Sequence, residues 1–168
     1  MDGCRKVVRL PNWDYSNAGC YFVTFCTHER KMTLGRVLEE PAEDGATILK
    51  LSQAGMFCQA SIESIPERFP AVCVEDFVVM PNHVHLLCSL RATDDELQES
   101  LLSRVVGYTK SKTTRALREH GYKGAVWQRS FYDHVVRDEA DYLRIMEYIE
   151  NNPAKWAEDR FYLRSENS

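Results

Sequence analysis

Two histidines one residue apart, His83 and His85, stand in the otherwise apolar run VVMPNHVHLLCSL at residues 78–90. On a strand, positions i and i+2 share a face, so the two imidazoles lie side by side while Val84 and Leu86 turn to the other face. A hydrogen-bonded pair at a solvent-facing edge explains such an arrangement as readily as a metal site does. A second pair sits on the run YLRIMEYIENN, where Tyr142, Ile145, Met146 and Ile149 form one apolar helix stripe. Tyr148 lies about 110° from the centre of that stripe, with Asn152 four residues on at its rim. Alone, these read as a surface tyrosine beside a helix-capping amide. Together with the histidines they suggest more. Two neutral imidazoles and an amide oxygen leave open positions on a divalent ion for phosphate oxygens and water. A nearby tyrosine could attack phosphorus, displacing a 3′-hydroxyl and keeping the phosphodiester energy in a phosphotyrosine bond.

The elements that must position these groups follow from local pattern. GCYFVTFCT (residues 19–27) is β-branched and aromatic, a strand. Residues 33–51 predict a hairpin or irregular excursion with Pro41 and an acidic tip at its turn. Ala54, Cys58, Ile62 and Ile65 recur at helical spacing from Ser52, and Pro66 is expected to end that helix. AVCVEDFVVM and HVHLLCSL make two strands around a Pro81-Asn82 turn. Thr93 or Asp94 is expected to cap a long helix reaching about His120, stopped by Gly121. SFYDHVVRD predicts a fourth strand, and Asp138 or Asp141 opens a last helix through Asn151, stopped by Pro153. The order β, α, β, β, α, β plus an extra helix predicts an α+β fold, a ferredoxin-like βαββαβ sandwich with an antiparallel sheet. Residues 1–168 are expected to form one domain, with an N-terminal arm at 1–18 carrying Arg5, Lys6 and Arg9, and the tyrosine helix at 138–152.

Length and composition agree with a globular domain: 168 residues, 44% hydrophobic and 27% charged. No run approaches a membrane span, and no signal-peptide core follows Met1. Six cysteines without a CxxC pair, Cys73 and Cys88 among them expected to pack as reduced thiols, fit a cytoplasmic location. The net charge of −4 argues against a polyanion partner, but its distribution does not. Between Leu101 and Ser130, Arg104, Lys110, Lys112, Arg115, Arg118, Lys123 and Arg129 face only Glu119. Either a solvated helix face or a nucleic-acid surface accounts for that segment.

The blocks MPNHVHLL, VWQRSFYDHVVRDEADY and YLRIMEYIENNPAKW, with RLPNWDYSNAGCYFVTF before them, resemble the single-tyrosine HUH transposases, in particular the REP-associated tyrosine transposases. The resemblance runs from about Val7 to Trp156. It implies a ferredoxin-like nuclease that nicks and rejoins single-stranded DNA beside hairpin repeats, using Mg²⁺ or Mn²⁺, as a monomer or homodimer. It further implies His83 and His85 as metal ligands, Tyr148 as nucleophile and Asn152 as third ligand, where many insertion-sequence relatives carry the longer Gln.

DNA contacts are expected from Arg104, Lys110, Lys112, Arg115, Arg118 and Arg129. His134 could orient a phosphate or base, or be a hydrogen-bonded strand histidine. Trp127, Phe131 and Tyr132 offer rings to unpaired bases or to the core. Two other readings compete. A histidine-triad nucleotide hydrolase needs a third alternating histidine, where this chain has Leu86-Leu87. A non-catalytic nucleic-acid-binding protein on the same fold would keep the basic helix and use the histidines structurally.

Overall fold

The computed structural model describes residues 19–38, 43, 45–91 and 95–162. The N-terminal arm and the Thr93–Asp94 cap lie outside these residues. In chain order the elements are strand β1 (Gly19–Cys26), the short hairpin of β2 (Gly35–Val37) and β3 (Leu49–Leu51), helices α1 (Gln53–Glu63) and α2 (Ile65–Arg68), strands β4 (Val72–Val79) and β5 (His83–Leu90), helix α3 (Asp95–Glu119), strand β6 (Tyr132–Val135) and helix α4 (Glu139–Asn151). The main sheet runs β4-β5-β1-β6, each neighbour antiparallel. This is the ferredoxin-like order expected, with β5 and β1 central.

Alternation along β5 sorts its side chains between two layers. Val84, Leu86, Cys88 and Leu90 pack with Cys58 and Ile62 of α1 and with Leu102, Val105 and Val106 of α3 in the larger core. On the other face Leu87 joins Cys20, Val136 and α4 residues Ile145 and Ile149 in a smaller core. The extra helix therefore covers the sheet face opposite α1 and α3. Both ends of the predicted helices are visible in hydrogen bonds. Ser52 caps α1 by accepting from the Gly55 amide. Gly121, at φ +86°, ends α3 in a Schellman turn: its amide donates to the Arg118 carbonyl and the Tyr122 amide to that of Leu117. Gly55 is required by close approach, since a Cβ there would stand 2.0 Å from the Leu34 carbonyl oxygen.

Three expectations need amendment. Pro66 does not close a helix; it sits in the first turn of α2, where a missing amide hydrogen costs nothing. The fourth strand is only four residues long because it pairs solely with residues 21–24 of β1. Cys88 is a free buried thiol as expected, but Cys73 is disulfide-bonded. No helix among the described residues is long and apolar enough to cross a membrane.

Candidate active site

The turn before β5 aims the two histidines. Pro81 and Asn82 form its tip, closed by the Met80 amide donating to the His83 carbonyl at 2.8 Å. The Asn82 carbonyl accepts from the Thr27 amide, which anchors the turn to the end of β1. His83 and His85 then point into the α4 layer and are fully buried, not exposed at an edge. Their Nε2 atoms approach to 3.1 Å.

The hydrogen-bond network fixes which nitrogen of His83 carries its proton. The Asn82 side-chain amide donates to the carbonyls of Phe161 (2.8 Å) and Arg30 (3.2 Å), so its Oδ1 accepts from His83 Nδ1–H at 2.9 Å. His83 Nε2 is left with its lone pair directed into the site. His85 Nδ1 meets the Thr24 hydroxyl at 2.7 Å. Arg30, whose carbonyl Asn82 holds, and its neighbour Glu29 adopt left-handed backbone at φ 52° and 54°, a strain that the anchored turn sustains. Burial pushes the His83 imidazole down to about 4, partly opposed by the Asp159 carboxylate, and pushes His85 well below its ordinary value with help from His83. Both are neutral at pH 7, the state a metal ligand requires.

Tyr148 projects from α4 with its ring edge against His85 (centroids 5.1 Å) and Phe22 (6.0 Å), while 41% of the residue stays exposed. Phe22 in turn stacks on His85 at 5.1 Å. Burial raises the phenol's pKa, and Asp159 adds to the rise. The phenol is therefore protonated at rest. Asn152 is buried beside both His83 and Tyr148; its amide donates to Asp159 Oδ2 at 2.9 Å, and its own Oδ1 has no hydrogen-bond partner. A buried amide oxygen left unpaired is costly unless something else meets it.

The residue that sequence reasoning missed is Asp159. It follows the short 3₁₀ turn Trp156–Glu158, and its carboxylate groups with the two histidines, their ligand atoms lying within 4.8 Å of one another. Its Oδ2 stands 3.8 Å from His83 Nε2, and its Oδ1 accepts from the Phe161 amide. Trp156 and Phe161 cover the pair, with Phe161 4.5 Å from the His83 ring centroid. The only signal was an acidic residue shortly after the proline stop, in AEDRFY; nothing in its spacing from the strand histidines marks it. Thr24 and Asn82, which orient the imidazoles, carry no such mark either.

Other residues singled out in the sequence lie elsewhere. α3 packs on the opposite sheet face, so its cations are not brought to the histidines. Arg104, Arg115, Arg118 and Arg129 are exposed. Lys112 donates to Ser64 Oγ (2.6 Å) and the Tyr108 hydroxyl (3.2 Å), while Lys110 donates to the carbonyls of Gln128 and Ser130. Those ammonium groups serve the fold first. Trp127 packs on Phe25 and Phe131 lies against the larger core, whereas Tyr132 is open to solvent. His134 Nε2 lies 2.7 Å from Asp141 Oδ2. Burial acts to raise the Asp141 carboxyl, but hydrogen bonds from His134, Arg144 and the Arg137 amide outweigh it and hold the group at about 2.

Comparison with known proteins identifies the family of the chain. The profile of the family described as "Transposase IS200 like" matches residues 20–152. An uncharacterized protein of Haemophilus influenzae is 32% identical over 95% of this chain and 93% of its own length. The REP-associated tyrosine transposase of Escherichia coli is 30% identical over 49% of this chain and 44% of its own. Among solved structures, that of a REP-associated tyrosine transposase bound to a REP hairpin superposes with a TM-score of 0.60, covering 89% of this chain and 74% of the other at 23% identity, a likeness of fold. The chain belongs to the IS200-like transposase family, enzymes of DNA cleavage and strand transfer.

Proposed function

We propose that this transposase nicks and rejoins single-stranded DNA beside hairpin repeats through a 5′-phosphotyrosine on Tyr148, with Mg²⁺ or Mn²⁺ held by His83, His85 and Asn152. The observation that carries the reading is the half-exposed phenol of Tyr148 set edge-on against His85, whose Nε2 is 3.1 Å from that of His83. That nitrogen separation suits a shared ion: two ligands about 2.1 Å from one centre at a right angle stand about 3.0 Å apart. The lone pair of His83 Nε2 and the carboxylate of Asp159 lie with them, and the buried Asn152, whose amide donates to Asp159, keeps an unpaired Oδ1 to offer. Such a donor set suits a divalent cation. Asp159 would add one negative charge to it.

A divalent ion bound there would polarise a phosphodiester as a Lewis acid. The chain's own groups supply the rest. Tyr148 Oη loses its proton and attacks phosphorus, the P–O3′ bond breaks, and the departing oxygen takes up a proton as a free 3′-hydroxyl. The 5′ side stays on the tyrosine until a second 3′-hydroxyl reverses the step. Thr24 and Asn82 keep the imidazole nitrogens turned inward throughout. Because α3 lies on the far face, Arg104, Arg115, Arg118 and the loop residue Arg129 are proposed to hold the hairpin stem; Lys110 and Lys112 would have to leave internal acceptors to join them.

The test incubates the full chain with Mn²⁺ or Mg²⁺ and single-stranded DNA spanning the repeats that flank its gene. The reading expects one nick, a free 3′-hydroxyl and a protein-linked 5′ end, with Mn²⁺ effective at lower concentration than Mg²⁺. Undiminished nicking in chelator would remove the metal. Specific hairpin binding without any nick would favour the non-catalytic alternative.

A further inference from the structure

The two flanks of α4 differ in charge. At 100° per residue Asp141, Arg144 and Tyr148 share one helix edge, while Met146, Glu150 and Pro153 share another. The second edge borders β4 and lines a cavity of about 290 Å³ with Asp76, Phe77 and Val78, where two carboxylates repel a phosphodiester chain. The first edge borders β6. Strand register places the β6 side chains there: Tyr132 is opposite Thr24, which is opposite His85, and His134 is opposite Phe22. Directly paired residues share a face, so Tyr132 and His134 stand on the same face as the metal-site histidines. Two strand spacings, about 10 Å, separate β5 from β6, roughly the step of one to two nucleotides in an extended strand.

The residues on this flank are accessible. The exposed large apolar side chains among the described residues include two aromatic ones, Tyr132 at 57% and Tyr148 at 41%, and both stand here. Arg144 is mostly exposed and shares its guanidinium with Asp141, while the His134 ring is held by the same carboxylate at 2.7 Å. That carboxylate is thus neutralised locally, and the outward N–H groups of Arg144 remain for another acceptor.

We propose that the open face between β6 and the Tyr148 edge of α4 is a nucleotide subsite: it takes the unpaired nucleotide adjoining the scissile phosphate, with the base stacked on Tyr132 and the neighbouring phosphate on Arg144. His134, fixed by Asp141, is a positioning residue that ties β6 to the first turn of α4 and so sets the distance between the Tyr132 ring and the Tyr148 oxygen. The inference rests on Tyr148 being the nucleophile. It adds that the cleaved strand leaves the site toward β6, away from the acidic β4 flank.

The experiment uses single-stranded substrates carrying 2-aminopurine at each position on either side of the cleavage site. Binding is read in the Tyr148→Phe protein and nicking in the otherwise native one. One flanking position should be quenched on binding. Tyr132→Ala should abolish that quenching and raise KM roughly 5- to 100-fold, the range for removal of one base–aromatic stack, with the effect falling on KM and not kcat. Tyr132→Phe should restore the quenching because it keeps the ring. Arg144→Ala should raise KM and lower its salt dependence, and Arg144→Lys should recover part of the affinity. Leu143→Ala, exposed on the far side of the same helix, should leave both readouts at the native level. Unchanged quenching and KM in Tyr132→Ala would overturn the subsite while leaving the nuclease reading intact. Nicking by Tyr148→Phe would overturn that reading instead, whatever Tyr132 does.

Discussion

The two faces of β5 are buried equally and built differently. Toward α1 and α3 it presents Val84, Leu86, Cys88 and Leu90, all apolar, packed on apolar side chains of both helices. Toward α4 it presents His83, His85, Leu87 and Ser89, met by Thr24, Asn82 and Asn152, all buried polar groups. Burying polar groups costs stability unless each is paired, and here nearly all are; the exception is Asn152 Oδ1, on the residue whose amide donates to Asp159. The comparison teaches a division of labour within one strand. One face closes the fold, and the other holds the groups proposed to take the metal ion.

Substitutions on the two faces should therefore fail in opposite ways. His83→Ala or His85→Ala should abolish nicking in Mn²⁺ while thermal unfolding stays cooperative; full activity in the double variant would erase the distinction. Leu86→Ala should lower unfolding free energy by about 2–5 kcal/mol yet leave nicking per folded molecule at the native level. A stable but inactive Leu86→Ala protein would mean that the faces are coupled.

Acid should sharpen the contrast further. Unfolded imidazoles take up protons near 6.5, whereas burial holds His83 in the fold down to about 4 and holds His85 well below its ordinary value. The unfolded chain thus binds more protons between those values, and stability falls as pH drops through that window. The Asp141 ion pairs, with the carboxyl held at about 2, are lost only at lower pH. In metal-free buffer the melting temperature should fall between about pH 6.5 and about pH 4, and a flat profile there would mean the histidines are not buried neutral.

How much of this was legible in sequence follows from the range of each signal. Periodicity and caps act over a few residues, so β5, α4 with its Asp138 cap, and the Gly121 stop were readable within a residue or two. Register and helix packing are long-range. That α4 covers the face opposite α3 decides that Tyr148 meets His85 and that Arg115 does not, and no local pattern contains it. Asp159 reaches the histidines across 76 and 74 residues of chain by way of a 3₁₀ turn, and a lone aspartate in a polar tail carries no mark of that destination. Lys110 and Lys112 show the converse: a run of charge is visible, but whether an ammonium faces solvent or a carbonyl is a tertiary fact.

The smallest expected effect concerns the far face. Replacing Arg104, Arg115 and Arg118 should flatten the dependence of log affinity on log salt for the DNA, by about 0.7 for each single-strand phosphate no longer neutralised. An unchanged slope would make α3 a solvated surface and leave DNA binding to the α4 side.

The central claim is that the Tyr148 oxygen attacks phosphorus, and mapping the DNA-linked peptide by mass spectrometry tests it most directly. The native protein should yield a single adduct on Tyr148, joined to a 5′-phosphate. Tyr148→Phe should stay folded, bind the same DNA and give neither adduct nor nick, while Tyr142→Phe, on the buried side of the helix, should give both. An adduct on Tyr132, Tyr142 or a serine, or a nick made by Tyr148→Phe, would contradict the account.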